Sequence, residues 1–137
     1  MVTIRELAEF RSTRFAPILS EKAQVNPGRY GAELAFWLCT QLAVKYRVET
    51  SYPVAEDWGW LLSHLTPAGD TFSIQCGNVD DTNDRWLLSI GAHSRKLFGR
   101  GKADFTGAGP LIEAVKQLLE SEESIEDLQW RFGIEDA

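Results

Sequence analysis

Between Tyr30 and Tyr46 apolar residues return every three or four positions, at Tyr30, Leu34, Trp37, Leu38, Leu42 and Tyr46, while Glu33, Gln41 and Lys45 form a polar stripe. That spacing predicts an amphipathic helix whose apolar side anchors a core. Downstream the period changes to two. Residues 57–65 place Trp58, Trp60, Leu62 and His64 at one parity, 71–77 alternate Phe72, Ile74 and Cys76 with polar residues, and 85–92 repeat the pattern with Trp86, Leu88, Ile90 and Ala92. Three strands are predicted there, each with one buried face. They are joined by the turn-rich stretches 66–70 and 78–84, short enough to favour antiparallel neighbours in a meander.

The ends of the chain are less regular. Thr3 and Glu6 stand at capping-box spacing and predict a short helix over 3–8. A further strand is expected over roughly 10–16, with Pro17 confining it to an edge. Asn26-Pro27-Gly28 reads as a turn. Leu97 and Phe98 offer a short strand, and Gly99, Gly101, Gly107 and Gly109 a glycine-rich loop. Pro110 opens a second helix with Leu111, Ile112, Val115, Leu118 and Leu119 as its buried stripe. Ser124, Ile125, Leu128 and Phe132 at helical spacing predict a last short helix. The expected fold is α+β: an antiparallel sheet of about four strands, with two main helices packed on one face. Residues 1–137 read as a single domain, of which 120–137 form an acidic C-terminal extension.

Composition changes this picture little. A chain of 137 residues with 44% hydrophobic and 25% charged content has enough material for a core without covalent staples. No apolar run approaches a membrane span, and the first residues lack the basic and apolar regions of a signal peptide. Cys39 and Cys76 fit no zinc or redox spacing and read as reduced, buried thiols. A cytoplasmic protein without membrane attachment is expected.

Charge is more informative once divided. Residues 120–137 hold seven acidic side chains against Arg131 alone, a balance of −6, equal to the net charge of the whole chain. The remainder is neutral, which argues against nucleic acid as a partner, since that needs a broad cationic footprint. The opposite bias is local: Arg95, Lys96, Arg100 and Lys102 follow one another with no acid between them.

The densest chemistry lies in Tyr52-Pro53-Val54-Ala55-Glu56-Asp57-Trp58-Gly59-Trp60, two carboxylates directly before two tryptophans. Ionised acids are buried only when paired or hydrogen-bonded, so the segment is either a specified corner of the fold or the edge of a site. Glu56 and Asp57 could act as an acid/base pair, or one of them could hold a turn while the tryptophans fill core. The free amides of the helix beginning near Tyr30 could accept an anion, and a carboxylate from Glu56 or Asp57 is the favoured occupant.

Asn26-Pro27-Gly28-Arg29-Tyr30-Gly31, Trp37-Leu38, Glu56-Asp57-Trp58-Gly59-Trp60, Cys76-Gly77-Asn78 and Trp86-Leu87, in that order, resemble a family of small, uncharacterised bacterial proteins. The resemblance spans roughly residues 10–119, and Glu56–Trp60 is its most specific part. It implies one domain in the bacterial cytoplasm and brings no catalytic residues with it.

Other constellations fail on spacing. Asp80, Asp81, Asn83 and Asp84 crowd oxygens into one loop, but the glycine and glutamate of a calcium loop are replaced by Arg85 and Gly91. His64, His93, Cys39 and Cys76 include no pair at zinc-ligand spacing, and Cys76 has the parity of core residues rather than of a nucleophile. The basic stretch 95–109 has the composition of a phosphate cradle, yet Gly101-Lys102 is followed by Ala103 where a phosphate loop needs Ser or Thr. No metal and no cofactor is expected.

The reading that results is a non-enzymatic binding module with a protein partner, in its sharpest form a toxin-neutralising protein of the immunity type. Its candidate binding residues are Glu56, Asp57, Trp58, Trp60, Arg95, Lys96, Arg100 and Lys102. That reading requires some of Trp58, Trp60 and Trp130 to be exposed beside acids. The alternative is a small-ligand protein or enzyme in which Glu56, Asp57, His64 and Asn78 converge on one pocket, and a third course is self-association through an open sheet edge.

Overall fold

In the computed structural model, which describes residues 2–18, 28–93 and 105–132, the two-residue periodicity in the middle of the chain becomes a run of antiparallel strands. The elements in order are β1 (Val2–Arg11), α1 (Ala32–Tyr46), β2 (Val54–Glu56), β3 (Gly59–Leu65), β4 (Thr71–Asn78), β5 (Arg85–His93), α2 (Gly109–Ser121) and β6 (Glu126–Phe132). They form one sheet in the order β2-β3-β4-β5-β1-β6, antiparallel at every pairing. β3 to β5 are the expected meander, which β2 extends at one edge. β1 then lies beside β5, and β6 closes the far edge.

Alternation decides the two faces. Ala8 and Phe10 of β1, Leu62 of β3, Phe72, Ile74 and Cys76 of β4, and Trp86, Leu88 and Ile90 of β5 are all fully buried. They share one core with Leu34, Leu38 and Leu42 of α1 and with Leu111, Val115, Leu118 and Leu119 of α2. α1 lies against β3 and β4 and touches α2. Both helices therefore cover one face of the sheet, as the apolar stripes predict.

Trp86 shows how the core is pinned. Its indole Nε1 donates to the Ser12 carbonyl at 2.9 Å, and Phe15 meets it edge-on with ring centroids 6.5 Å apart. Phe15 also packs on Trp37 of α1 at 5.1 Å, and the Arg14 guanidinium lies over the same indole at 5.7 Å. The turn after β1 thus clamps helix to sheet.

Three expectations are corrected. Residues 3–8 are strand, not helix, and the strand expected over 10–16 ends at Arg11. The capping-box spacing is a local signal. It is outweighed by pairing on both sides, because β1 lies between β5 and β6 and buries Glu6, Ala8 and Phe10 at period two. Residues 126–132 form β6 rather than a helix. Leu128 and Trp130 sit two apart against the core, and the three- and four-residue spacing that suggested a helix is coincidental. The sheet accordingly has six strands instead of about four, with β2 the third unforeseen member. The strand expected at Leu97 lies outside the described residues.

The acidic C-terminal segment is thereby part of the sheet up to Phe132. Trp130 Nε1 donates to the Glu6 carboxylate at 2.7 Å, and Lys116 of α2 lies over the Trp130 ring at 5.9 Å. The Ser12 hydroxyl donates to Ser124 Oγ at 3.0 Å, and Arg14 pairs with Glu122 at 2.9 Å. Partial desolvation pushes the Glu122 pKa up, but hydrogen bonds from Ser124 and Arg14 outweigh it and hold the carboxyl below its usual range. Because the folded pKa is the lower, this contribution is present above the unfolded value and is lost on acidification.

On the face turned away from the helices, Glu9 holds Arg85 at 3.7 Å and Arg131 at 3.5 Å, and Arg11 meets Glu126 at 3.6 Å. Such exposed pairs contribute about 0–1 kcal/mol each, against about 1.5–3 kcal/mol for burying one large apolar side chain. The helix-covered core therefore carries the stability. Trp130→Phe keeps the ring and removes the donor to Glu6, so urea unfolding is expected to show a loss of about 1.5–3 kcal/mol. An unchanged midpoint would show that the indole–carboxylate bond does not tie β6 to β1.

Candidate functional site at the Asp57–Trp58 hairpin

β2 and β3 are joined by a two-residue loop, Asp57-Trp58, with Glu56 paired to Gly59. Gly59 has φ +156°, and a Cβ there would stand 2.4 Å from the Cys76 carbonyl oxygen. Gly31, which precedes α1, has φ +133° and would meet the same oxygen at 2.8 Å. No side chain fits at either position without displacing backbone. Three separate segments of the chain, at Gly31, at Gly59 and at Cys76-Gly77, are thus in direct backbone contact.

Asn78 completes the junction. Its Oδ1 accepts from Tyr30 N at 3.1 Å, and its Nδ2 donates towards the carbonyls of Gly28 (3.2 Å), Asp80 (3.0 Å) and Thr82 (2.9 Å). One amide side chain therefore ties the approach to α1 to the β4–β5 turn. That turn is closed further by Thr82 Oγ1 donating to the Val79 carbonyl at 2.7 Å. The carboxylates of Asp80 and Asp81 are left exposed outside it.

These contacts also decide where the tryptophans go. Trp60 pairs with Cys76 and is half-buried against the core. Trp58 is not on its face, contrary to the parity expectation, because the loop residue precedes the strand. The Trp58 carbonyl crosses over Gly77, 3.2 Å from where a Cβ would be, and the side chain lines a groove on the face away from the helices. This groove has a volume of about 200 Å³ and is lined by Trp58, Gln75, Gly77, Asn78, Leu87 and Ser89. Within it the Ser89 hydroxyl donates to Gln75 Oε1 at 3.1 Å.

The hairpin edge is apolar as well. Tyr52 is 81% exposed, Val54 51% and Trp58 43%, with Leu65 also exposed at the other end of β3. Asp57 is exposed beside Trp58. Of the three tryptophans singled out, Trp58 is thus exposed beside an acid, while Trp60 and Trp130 are half-buried.

The alternative constellation does not assemble around this groove. Neither Glu56, Asp57 nor His64 lines it. The His64 ring Nδ1 lies 2.7 Å from the Glu49 carbonyl, which places the proton on that nitrogen, and Asn78 is engaged by backbone. At the approach to α1, where a carboxylate from Glu56 or Asp57 is expected, Tyr30 N donates to Asn78 Oδ1 instead; Asn26 and Pro27 lie outside the described residues, and Gly28 is held by Asn78. Arg95, Lys96, Arg100 and Lys102 lie outside the described residues too.

Among the described residues no group of three His, Cys, Asp or Glu side chains could hold a metal ion, and no helix is long and apolar enough to cross a membrane. Cys39 is half-buried with its thiol 3.8 Å from the Ser51 carbonyl. Cys76 is fully buried, and desolvation pushes its pKa up to about 12.

Gln75, Gly77, Leu87 and Ser89 were not singled out from sequence. They occupy the non-core parity of β4 and β5, and a glycine inside a strand is the one local sign of close approach there. Comparison of the chain with protein-family models, with curated proteins and with solved structures gives no match.

Asn78→Ala should lower unfolding free energy by about 2–4 kcal/mol, since several backbone groups lose their partner. Asn78→Asp should cost more, because it sets a carboxylate against carbonyl oxygens. Equal stability of Asn78→Asp and wild type in urea would contradict the junction. For Cys76 the folded pKa lies above the ordinary thiol value of 9.0, so its contribution is intact below about 9 and falls as pH rises towards 12. Cys76→Ala should therefore flatten the alkaline limb of the stability profile, and native Cys76 should resist iodoacetamide at pH 8 while the unfolded chain reacts.

Proposed function

We propose that the protein is a non-enzymatic binding module that engages a basic protein partner through the hairpin edge, in the manner of a toxin-neutralising protein of the bacterial cytoplasm. The observation that carries this reading is the exposed set Tyr52, Val54 and Trp58 on the edge hairpin, with Asp57 beside it. Isolated exposed apolar residues are ordinary, but aromatic residues grouped with acids at a rigid edge have the make-up of an interface anchor. The groove supports a protein partner over a metabolite. At about 200 Å³ it is smaller than the roughly 300–1,000 Å³ of small-molecule sites, and its size suits a single side chain of a partner.

The enzymatic alternative draws on Glu56 and Asp57. Asp57 is an exposed loop residue, and the groove contains no carboxylate, histidine or cysteine that could serve as acid, base or nucleophile. No specific observation favours that reading.

The test is affinity capture at low salt with the wild-type chain and with a Tyr52→Ser, Val54→Ser, Trp58→Ala variant whose fold is checked by circular dichroism. A basic protein retained by the wild type, lost from the variant and released at higher salt is the expected result. A partner held equally by both forms, or no partner, removes the proposal.

A further inference from the structure

We infer that the groove beneath Trp58 is the receptor for an arginine side chain presented by that partner. The inference rests on the binding-module reading and names the group at its centre.

The groove owes its existence to a missing side chain at Gly77, which pairs with Leu87 in a cross-strand row that continues to Glu9. Every other position of that row carries a side chain. The empty stretch is walled by the Trp58 indole and by Leu87, with Gln75 and Ser89 of the next row at its end. A space beside an exposed indole accepts a planar group that can stack on the ring. Its polar end offers amide and hydroxyl oxygens, which suit a donor.

Charge selects which planar group. Asp57 adjoins Trp58, and Asp80 and Asp81 project from the turn whose carbonyls hold Asn78. Among the described residues no hydrogen bond or ion pair engages the carboxylates of Asp57, Asp80 or Asp81. Arg85, which shares the outer face two residues from Leu87, is already held by Glu9. Among the described residues the acids beside the groove thus carry no ion pair, while Glu9 is shared by Arg85 and Arg131. An anion is repelled there, and a neutral aromatic side chain leaves those charges unused. A guanidinium satisfies all three features: it is planar, it stacks on indole, and it carries five donors in a rigid fork. An ammonium matches the charge but neither the plane nor the fork.

The probe is a nine-residue peptide with one central arginine among glycine and serine, titrated into the full-length labelled chain and followed by NMR. Matched peptides carry lysine or citrulline at the centre. The arginine peptide should shift the Trp58 indole and Gln75 side-chain amide resonances, with at least tenfold weaker binding for both matched peptides. Trp58→Leu and Gln75→Leu should each abolish the shifts while the remaining spectrum keeps its dispersion. Equal binding of the three peptides, shifts confined to other residues, or no shift at millimolar peptide overturns the inference. If the peptides fail but the captured protein still depends on Tyr52 and Val54, the partner reading stands and only the arginine assignment falls.

Discussion

The Cys76 carbonyl oxygen is the point on which the arrangement turns. Two glycines approach it so closely that no Cβ could stand at either, and they come from the segment before α1 and from the start of β3. Interiors are packed at crystal-like density, so such a contact cannot be shared out among neighbours by small shifts. It fixes the start of the helix, the fold of the hairpin and the end of β4 relative to one another. α1 has no side-chain cap at its N-terminus. Its position comes from this contact, from Asn78 and from the burial of Leu34, Leu38 and Leu42, not from local helix-terminal chemistry.

The same junction has two sides with different consequences. On the helix side it is a lock, filled by backbone and by half-buried Trp60. On the other side the absence of a side chain at Gly77 leaves the groove, with the Trp58 carbonyl crossing over that glycine. A groove whose walls are held by backbone contacts loses little freedom when it is occupied, which favours binding by that face over binding by a loop.

Much of the fold is legible in the sequence because it rests on periodicity. α1, α2 and β3 to β5 announce themselves through stripes that the core then buries. β1 and β6 do not, because their status as strands depends on each other: Glu6 and Ala8 face Trp130 across a pairing 124 positions long, and no local window contains both. The local signals at these ends, a capping-box spacing and a three-to-four repeat, point the other way and are overridden. The site divides similarly. Trp58 and Asp57 stand out by composition, whereas Gln75, Leu87 and Ser89 join them only through the register of three strands. Trp58 was assigned to the wrong face because the hairpin loop takes it out of the alternation that governs Trp60.

Charge and shape have separate parts at the hairpin. Exposed carboxylates such as Asp57, Asp80 and Asp81 are surrounded by water and salt, and over a Debye length of about 8 Å their attraction fades. Charges of this kind act on how often and in what orientation an oppositely charged molecule arrives more than on how tightly it stays. Retention has to come from contacts that exclude water, and on this edge those are Trp58 with the groove beneath it and the apolar surface of Tyr52 and Val54. Arg85 on the same face is already engaged by Glu9, which also meets Arg131. The arrangement thus sets exposed acids around an apolar centre, the order in which an interface uses them.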